Sequence, residues 1–138
     1  MKKVLVIGVS GSLGKGVVRE IKGNYEITGT YTSRPLNIEG IKTQKLDITD
    51  KCDFDTLDKN FDTVFLVAGA MPAMMEGYHS QKYIDVNMTG LLNVLEYCRS
   101  HSIKKIIYIM TFSDVAGSFY TGVPIKDDGP RTLTLTGD

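Results

Sequence analysis

The stretch "VIGVSGSLGKGV", residues 6–17, decides the fold: Gly8, Gly11 and Gly14 stand three apart, an apolar run precedes them, and Leu13, Val17, Val18 and Ile21 follow on one helical stripe. A Val- and Ile-rich run, a glycine triplet and then a 3.6-residue period read as strand, tight turn and helix. Glycines at these places have a chemical use. A phosphate needs backbone N–H donors at close range, the missing Cβ atoms let it approach, and the helix N-terminus adds roughly half a positive charge. A diphosphate is the natural guest, held by the backbone around Gly8, Ser10, Gly11, Ser12, Leu13 and Gly14. The same triplet also serves as a plain tight turn that lets helix and strand pack closely.

Further short apolar runs follow: "EITGTY" (26–31), "TVFLVAG" (63–69) and "KIIYIM" (105–110), which with "VLVIG" (4–8) suit central strands of a parallel sheet covered on both faces. The polar link "TSRPLNIEG" leads to "IKTQKLDI", a further short strand, and Asp53 is placed to cap a brief helix through "FDTLDKN". Residues 79–100 carry the longest helical pattern, with Ile84, Met88, Leu91, Leu92, Leu95 and Cys98 among its apolar positions. The order β-α-β-β-α-β-α-β predicts an α/β fold, a doubly wound parallel sheet of about five strands that is incomplete at the C-terminus. Its ligand crevice is expected at the carboxyl ends of the strands. Residues 1–116 form the expected dinucleotide-binding domain. Residues 117–138, rich in Gly, Pro, Thr and acidic side chains, read as a loop-rich tail leading toward further elements.

The bulk composition narrows the partners. A chain of 138 residues with 42% hydrophobic content fills one core, and sixteen basic against sixteen acidic residues leave no net charge to attract nucleic acid or an anionic membrane. A small-molecule ligand is the expectation. Cys52 and Cys98 lie 46 residues apart without metal-ligand spacing and read as free thiols of a reducing compartment. The "MKK" start mimics a secretory leader, but its apolar run is interrupted by glycine and serine. No stretch reaches the roughly 20 apolar residues of a membrane span, so a cytoplasmic protein is expected.

Several features, in order, resemble one family, the extended short-chain dehydrogenase/reductases, also called the NAD-dependent epimerase/dehydratase family. They are the glycine turn at 8–14, "LDITD" at 46–50, "FLVAGA" at 65–70, "VNMTGLLNVLEYC" at 86–98, and "IIYIMTFSDVAG", which is similar to the strand leading into that family's catalytic serine or threonine. The resemblance implies a Rossmann-like fold and roles for particular positions. Asp47 and Ile48 would frame the adenine, Asp47 by accepting from its amino group; Ala68 and Gly69 would let the backbone approach the ribose; Asn87 would face the active-site crevice. Taken without the resemblance, Asp47 is a turn carboxylate and Asn87 a helix-face amide.

Cofactor choice follows from charge. NAD-specific members place a carboxylate at the end of the second strand, where it accepts from the ribose 2′-hydroxyl and repels a 2′-phosphate. Here Tyr31 holds that place, followed by Thr32, Ser33 and Arg34. No carboxylate and one guanidinium suit NADP better than NAD, although Arg34 also reads as a solvated loop residue. "GTYTSRP" is similar to stretches in NADP-using sugar-nucleotide reductases.

The family's reaction needs a tyrosine and a lysine spaced Y-x-x-x-K on one helix, plus a serine or threonine toward the substrate oxygen. "YHSQK" supplies Tyr78 and Lys82, but it precedes the fifth strand, whereas the family's pair follows it. Counting forward from Phe112 puts the expected tyrosine near or just past residue 136. Phe112 stands where the hydroxyl belongs, leaving Thr111 and Ser113 as candidates one residue to either side, and on a strand such a slip reverses the face. Without the family's later elements, apolar groups of "VLVIG" and "KIIYIM" are expected to face water and recruit a second copy or a separately encoded remainder. The leading reading is the NAD(P)-binding portion of a sugar-nucleotide epimerase, dehydratase or reductase, inactive alone. A non-catalytic dinucleotide sensor and an interaction domain are the others.

Overall fold

The structure, a computed structural model, describes residues 1–70 and 79–109. Strand β1 (Lys3–Ile7) lies at the centre of the sheet, and all four residues from Val4 to Ile7 are buried. The pleat explains why a continuous apolar run suits that place: Leu5 and Ile7 point to one face and Val4 and Val6 to the other, so both need cover. One cover is α1 (Ser12–Ile21), whose Val18 is buried and whose Val17 and Ile21 pack against Val4, Val6 and Ile27. The other face carries the larger core, where Leu5 and Ile7 meet Phe54, Val64, Leu66, Val94 and Tyr97.

Strands β2 (Glu26–Tyr31), β3 (Lys42–Lys45), β4 (Thr63–Leu66) and β5 (Lys105–Tyr108) complete an all-parallel sheet in the order β3-β2-β1-β4-β5. Val4 faces Ile27 in the β1–β2 register and Thr63 in the β1–β4 register. The chain steps outward through β2 and β3 and then crosses to the other side of β1 to enter β4. That reversal opens a crevice beyond the carboxyl ends of β1 and β4. The long helical segment runs from α2 (Ser80–Tyr83) through a π-helical stretch, Ile84–Gly90, into α3 (Leu91–Ser100), with helical backbone at both junctions.

Four sequence expectations change. The "VLVIG" strand is fully covered within the compact unit Met1–Tyr108, because its neighbours β2 and β4 and the helices on both faces all lie in that unit. "KIIYIM" contributes β5, an edge strand among the described residues, with Ile106 and Ile107 half-buried. Asp50, not Asp53, caps the 3-10 helix Lys51–Thr56, accepting from the Cys52 N–H at 2.9 Å. Asp53 turns back to accept the Asp47 N–H at 2.8 Å. On the long helix the apolar stripe is split: Cys98 is buried and Leu91 partly so, while Ile84, Met88 (61% exposed), Leu92 (63%) and Leu95 face outward. The inner face is Val86, Asn87, Gly90, Asn93, Val94 and Tyr97, because loops packed there need amide partners as well as apolar cover.

Candidate functional site

The carboxyl ends of β1, β2 and β4 and the start of the long helix surround a crevice of about 890 Å³, within the range of small-molecule and cofactor sites. Its floor is the glycine turn. The N–H groups of Gly8 and Val9 both donate to the Thr30 carbonyl, at 3.2 and 2.9 Å, which ties the turn to the end of β2. Gly8 adopts φ +100°, and a Cβ there would lie 2.8 Å from the Ala68 nitrogen, so both conformation and space exclude a side chain. At Gly14 a Cβ would fall 2.2 Å from the Gly8 carbonyl oxygen. That glycine serves the packing of α1 onto the turn.

Gly11 differs. It is the N-cap of α1 with φ −75° and ψ 162°, ordinary extended backbone, and the nearest atom to an added Cβ is the Gly8 oxygen at 3.6 Å. Among the described residues nothing requires glycine there. Gly11 offers no capping side chain and no acidic residue occupies the first turn of α1. Among the described residues the N–H groups of Ser12 and Leu13 have no acceptor. The start of α1 therefore carries free donors and the positive end of a helix next to Ser10 and Gly11, which line the crevice.

One side of the crevice is built by the loop after β3. Asp47 accepts at Oδ1 from the Thr49 N–H (2.9 Å) and hydroxyl (2.7 Å), while its own N–H is fixed by Asp53. Asp47, Ile48 and Thr49 line the crevice, although the Ile48 side chain belongs to the core and is 6% exposed. Thr32 and Ser33, just past β2, line the same space. Arg34 is exposed and without an ion-pair or hydrogen-bond partner among the described residues.

Opposite, Val67, Ala68, Gly69 and Ala70 form the wall after β4. Asn87 holds this wall: its Oδ1 accepts the Ala70 N–H at 2.8 Å and its Nδ2 donates to the Ala70 carbonyl at 2.7 Å. The Asn87 amide is thus spent on backbone 17 residues away, orienting the loop rather than standing open in the crevice.

Of the residues that sequence reasoning selected, the crevice brings together Gly8, Ser10, Gly11, Asp47, Ile48, Ala68 and Gly69. Ser12, Leu13, Gly14, Tyr31, Arg34 and Asn87 are not among its lining residues. Thr111, Ser113 and Tyr78 lie outside the described residues. Lys82 does line the crevice, with His79, Gln81 and Asp85, and Gln81 Nε2 donates to Asp85 Oδ1 at 2.8 Å. Lys82 was singled out in the sequence with Tyr78, whereas His79, Gln81 and Asp85 were missed because they read only as polar positions at the start of the 79–100 helical pattern.

Strand order, switch-point crevice and glycine turn together define a Rossmann-type domain. The NAD dependent epimerase/dehydratase family matches residues 4–133, and the chain belongs to that family. Over 112 residues it is 31% identical to an uncharacterized epimerase/dehydratase of Staphylococcus saprophyticus, covering 75% of this chain and 35% of that protein. Its fold is similar to the UDP-glucose 4-epimerase of Thermus thermophilus in complex with NAD, with TM-score 0.80 and 21% identity over 94% of this chain and 44% of that one. It is also similar to the uronate dehydrogenase of Agrobacterium tumefaciens, with TM-score 0.68 and 21% identity over 83% of this chain and 42% of that one. The chain therefore spans between a third and a half of the length of these relatives. No described helix is long and apolar enough to cross a membrane.

The dinucleotide that the family name implies fits these residues. Room at Gly11 that no described residue fills, and unused amides beside it, are what a diphosphate requires.

Proposed function

We propose that this chain is the cofactor-holding part of an extended short-chain reductase or epimerase, that it takes NADP in preference to NAD, and that the longer protein acts on a nucleotide sugar. The observation that carries the reading is the Gly11 cradle facing the crevice, with the Ser12 and Leu13 amides free. The amides at the start of α1 would hold the diphosphate, Asp47 and Ile48 the adenine, and Ala68 and Gly69 would allow close approach of a ribose. NADP is favoured by Thr32, Ser33 and the unpartnered Arg34 after β2, where no carboxylate precedes Pro35. When bound, the nicotinamide supplies a hydride acceptor or donor. This chain's part is to grip and orient, and alone it is inactive.

The substrate class rests on family likeness, including the Thermus epimerase. The exposed stripe of Ile84, Met88, Leu92 and Leu95 supports a second copy as partner, and sedimentation over a concentration series tests that. For the cofactor, fluorescence titration with NADPH and NADH is the direct assay. NADPH should bind about tenfold tighter than NADH, and Arg34→Ala should erase that difference while leaving NADH within about twofold. Equal binding of both nucleotides by the unchanged chain would dismiss the NADP preference.

A further inference from the structure

Asn93 lies on the inner face of α3, in no crevice-lining position, yet it reaches the base end of the site. Its Nδ2 donates to the Ile48 carbonyl at 2.8 Å across 45 residues of sequence. Gly90, buried and three residues earlier, leaves the space in which the Ile48 side chain sits: a Cβ there would lie 2.7 Å from both Ile48 Cγ1 and Cδ1. One helix face therefore holds Ile48 by main chain and side chain together.

The other hydrogen bonds of residues 47–49 stay within residues 47–53. The Asp47 N–H goes to Asp53, and the Thr49 N–H and hydroxyl go to Asp47 Oδ1. They fix the carboxylate relative to the loop, whereas the contacts of Ile48 with Asn93 and Gly90 fix the loop relative to the helix that frames the crevice. A carboxylate that reads a base edge must be held within about 0.5 Å of its working position.

We propose that Asn93 is a positioning residue for the base end of the dinucleotide: by pinning the Ile48 carbonyl it aims the Asp47 carboxylate at the exocyclic amino group of adenine. This rests on the cofactor reading above. The role separates Asn93 from a residue that merely supports the fold, because its loss should alter recognition of one atom on the base.

The test compares NADPH with nicotinamide hypoxanthine dinucleotide phosphate, in which that amino group is replaced by a carbonyl oxygen. Dissociation constants of both are measured for the unchanged chain, for Asn93→Leu and for Asn93→Asp, with thermal midpoints alongside. Asn93→Asp keeps shape and polarity but loses the donor, so it serves if the leucine variant does not fold. The unchanged chain should prefer the adenine form about tenfold, equivalent to about 1.4 kcal/mol. In the variants the preference should fall below about threefold, with affinity for the hypoxanthine form held within about twofold. A merely structural Asn93 would weaken both ligands alike and keep the tenfold ratio, and that result overturns the proposal. Saturable binding without discrimination in the unchanged chain also overturns it, by removing the contact it is meant to aim. Absence of saturable binding to either nucleotide instead overturns the cofactor reading itself.

Discussion

Replacing Gly11 by alanine separates what the ligand needs from what the fold needs. The backbone at Gly11 is ordinary for any L-residue, and the added methyl carbon would meet nothing nearer than 3.6 Å, so the protein has room for it. As an N-cap, alanine is poorer than glycine by about 1 kcal/mol, which is small against a stability of about 5–15 kcal/mol and should lower the melting temperature by about 4 °C. The methyl would, however, stand where a diphosphate must approach the free amides. Losing charge-assisted hydrogen bonds there costs about 1.5–3 kcal/mol, so NADPH should bind about 10- to 150-fold more weakly. Gly14→Ala is the contrasting case, since its methyl would fall 2.2 Å from the Gly8 oxygen and 2.7 Å from Val9 Cα, both backbone atoms that cannot yield cheaply. Overpacking of that kind should cost about 3 kcal/mol and lower the melting temperature by about 12 °C. Thermal melts and NADPH fluorescence titrations on both variants provide the readouts. Gly11→Ala that binds within twofold of the unchanged chain would refute the reasoning, and so would Gly11→Ala that melts as early as Gly14→Ala.

Asn87→Leu should leave the Ala70 N–H and carbonyl without partners and cost about 2–3 kcal/mol in urea denaturation, the sum of two modest hydrogen bonds and partial burial of the orphaned groups. Burial pushes the Cys98 thiol up to about 11 from its ordinary 9.0, so the folded chain keeps a proton that the unfolded chain loses on crossing pH 9. Its contribution is whole below pH 9 and fades as pH rises toward 11, and Tyr97, raised by burial and by its neighbours Cys98 and Asp58, acts in the same direction. Urea titrations at pH 8 and 10.5 should therefore differ by about 2 kcal/mol from Cys98, with lower stability at the higher pH. A chromogenic disulfide reagent at pH 8 should label the exposed Cys52 within minutes and reach the buried Cys98 only on denaturation.

The parts of the fold written in local chemistry were legible. A Val/Ile run, three glycines and an amphipathic stripe define β1, the turn and α1, and "EITGTY" coincides with β2 because a buried parallel strand needs apolar or small residues on both faces. The inner face of the long helix was not legible. Ile84, Met88, Leu91, Leu92, Leu95 and Cys98 give the more apolar stripe, yet only Leu91 and Cys98 of that set turn inward, the core taking the side with Asn87, Gly90 and Asn93. Those three residues have distant partners, the Ala70 backbone and Ile48, which periodicity cannot anticipate. The same limit applies at Asp53, a good cap by local rules, whose carboxylate is claimed instead by the Asp47 N–H. The glycine turn was legible as a tight turn between strand and helix, but the division of labour within it was not. Gly8 and Gly14 meet the needs of packing whereas Gly11 has room beside it, a distinction that emerges only from which atoms lie beside each.

A diphosphate held at the start of α1 would rest on two N–H groups, those of Ser12 and Leu13. Nitrogen–proton correlation spectra recorded during titration with NADPH report on them directly. Both amide signals should move downfield and saturate together with those of Gly11 and Thr32. If they stay in place while the ligand saturates elsewhere, or if no signal moves at millimolar nucleotide, the cradle does not hold a diphosphate.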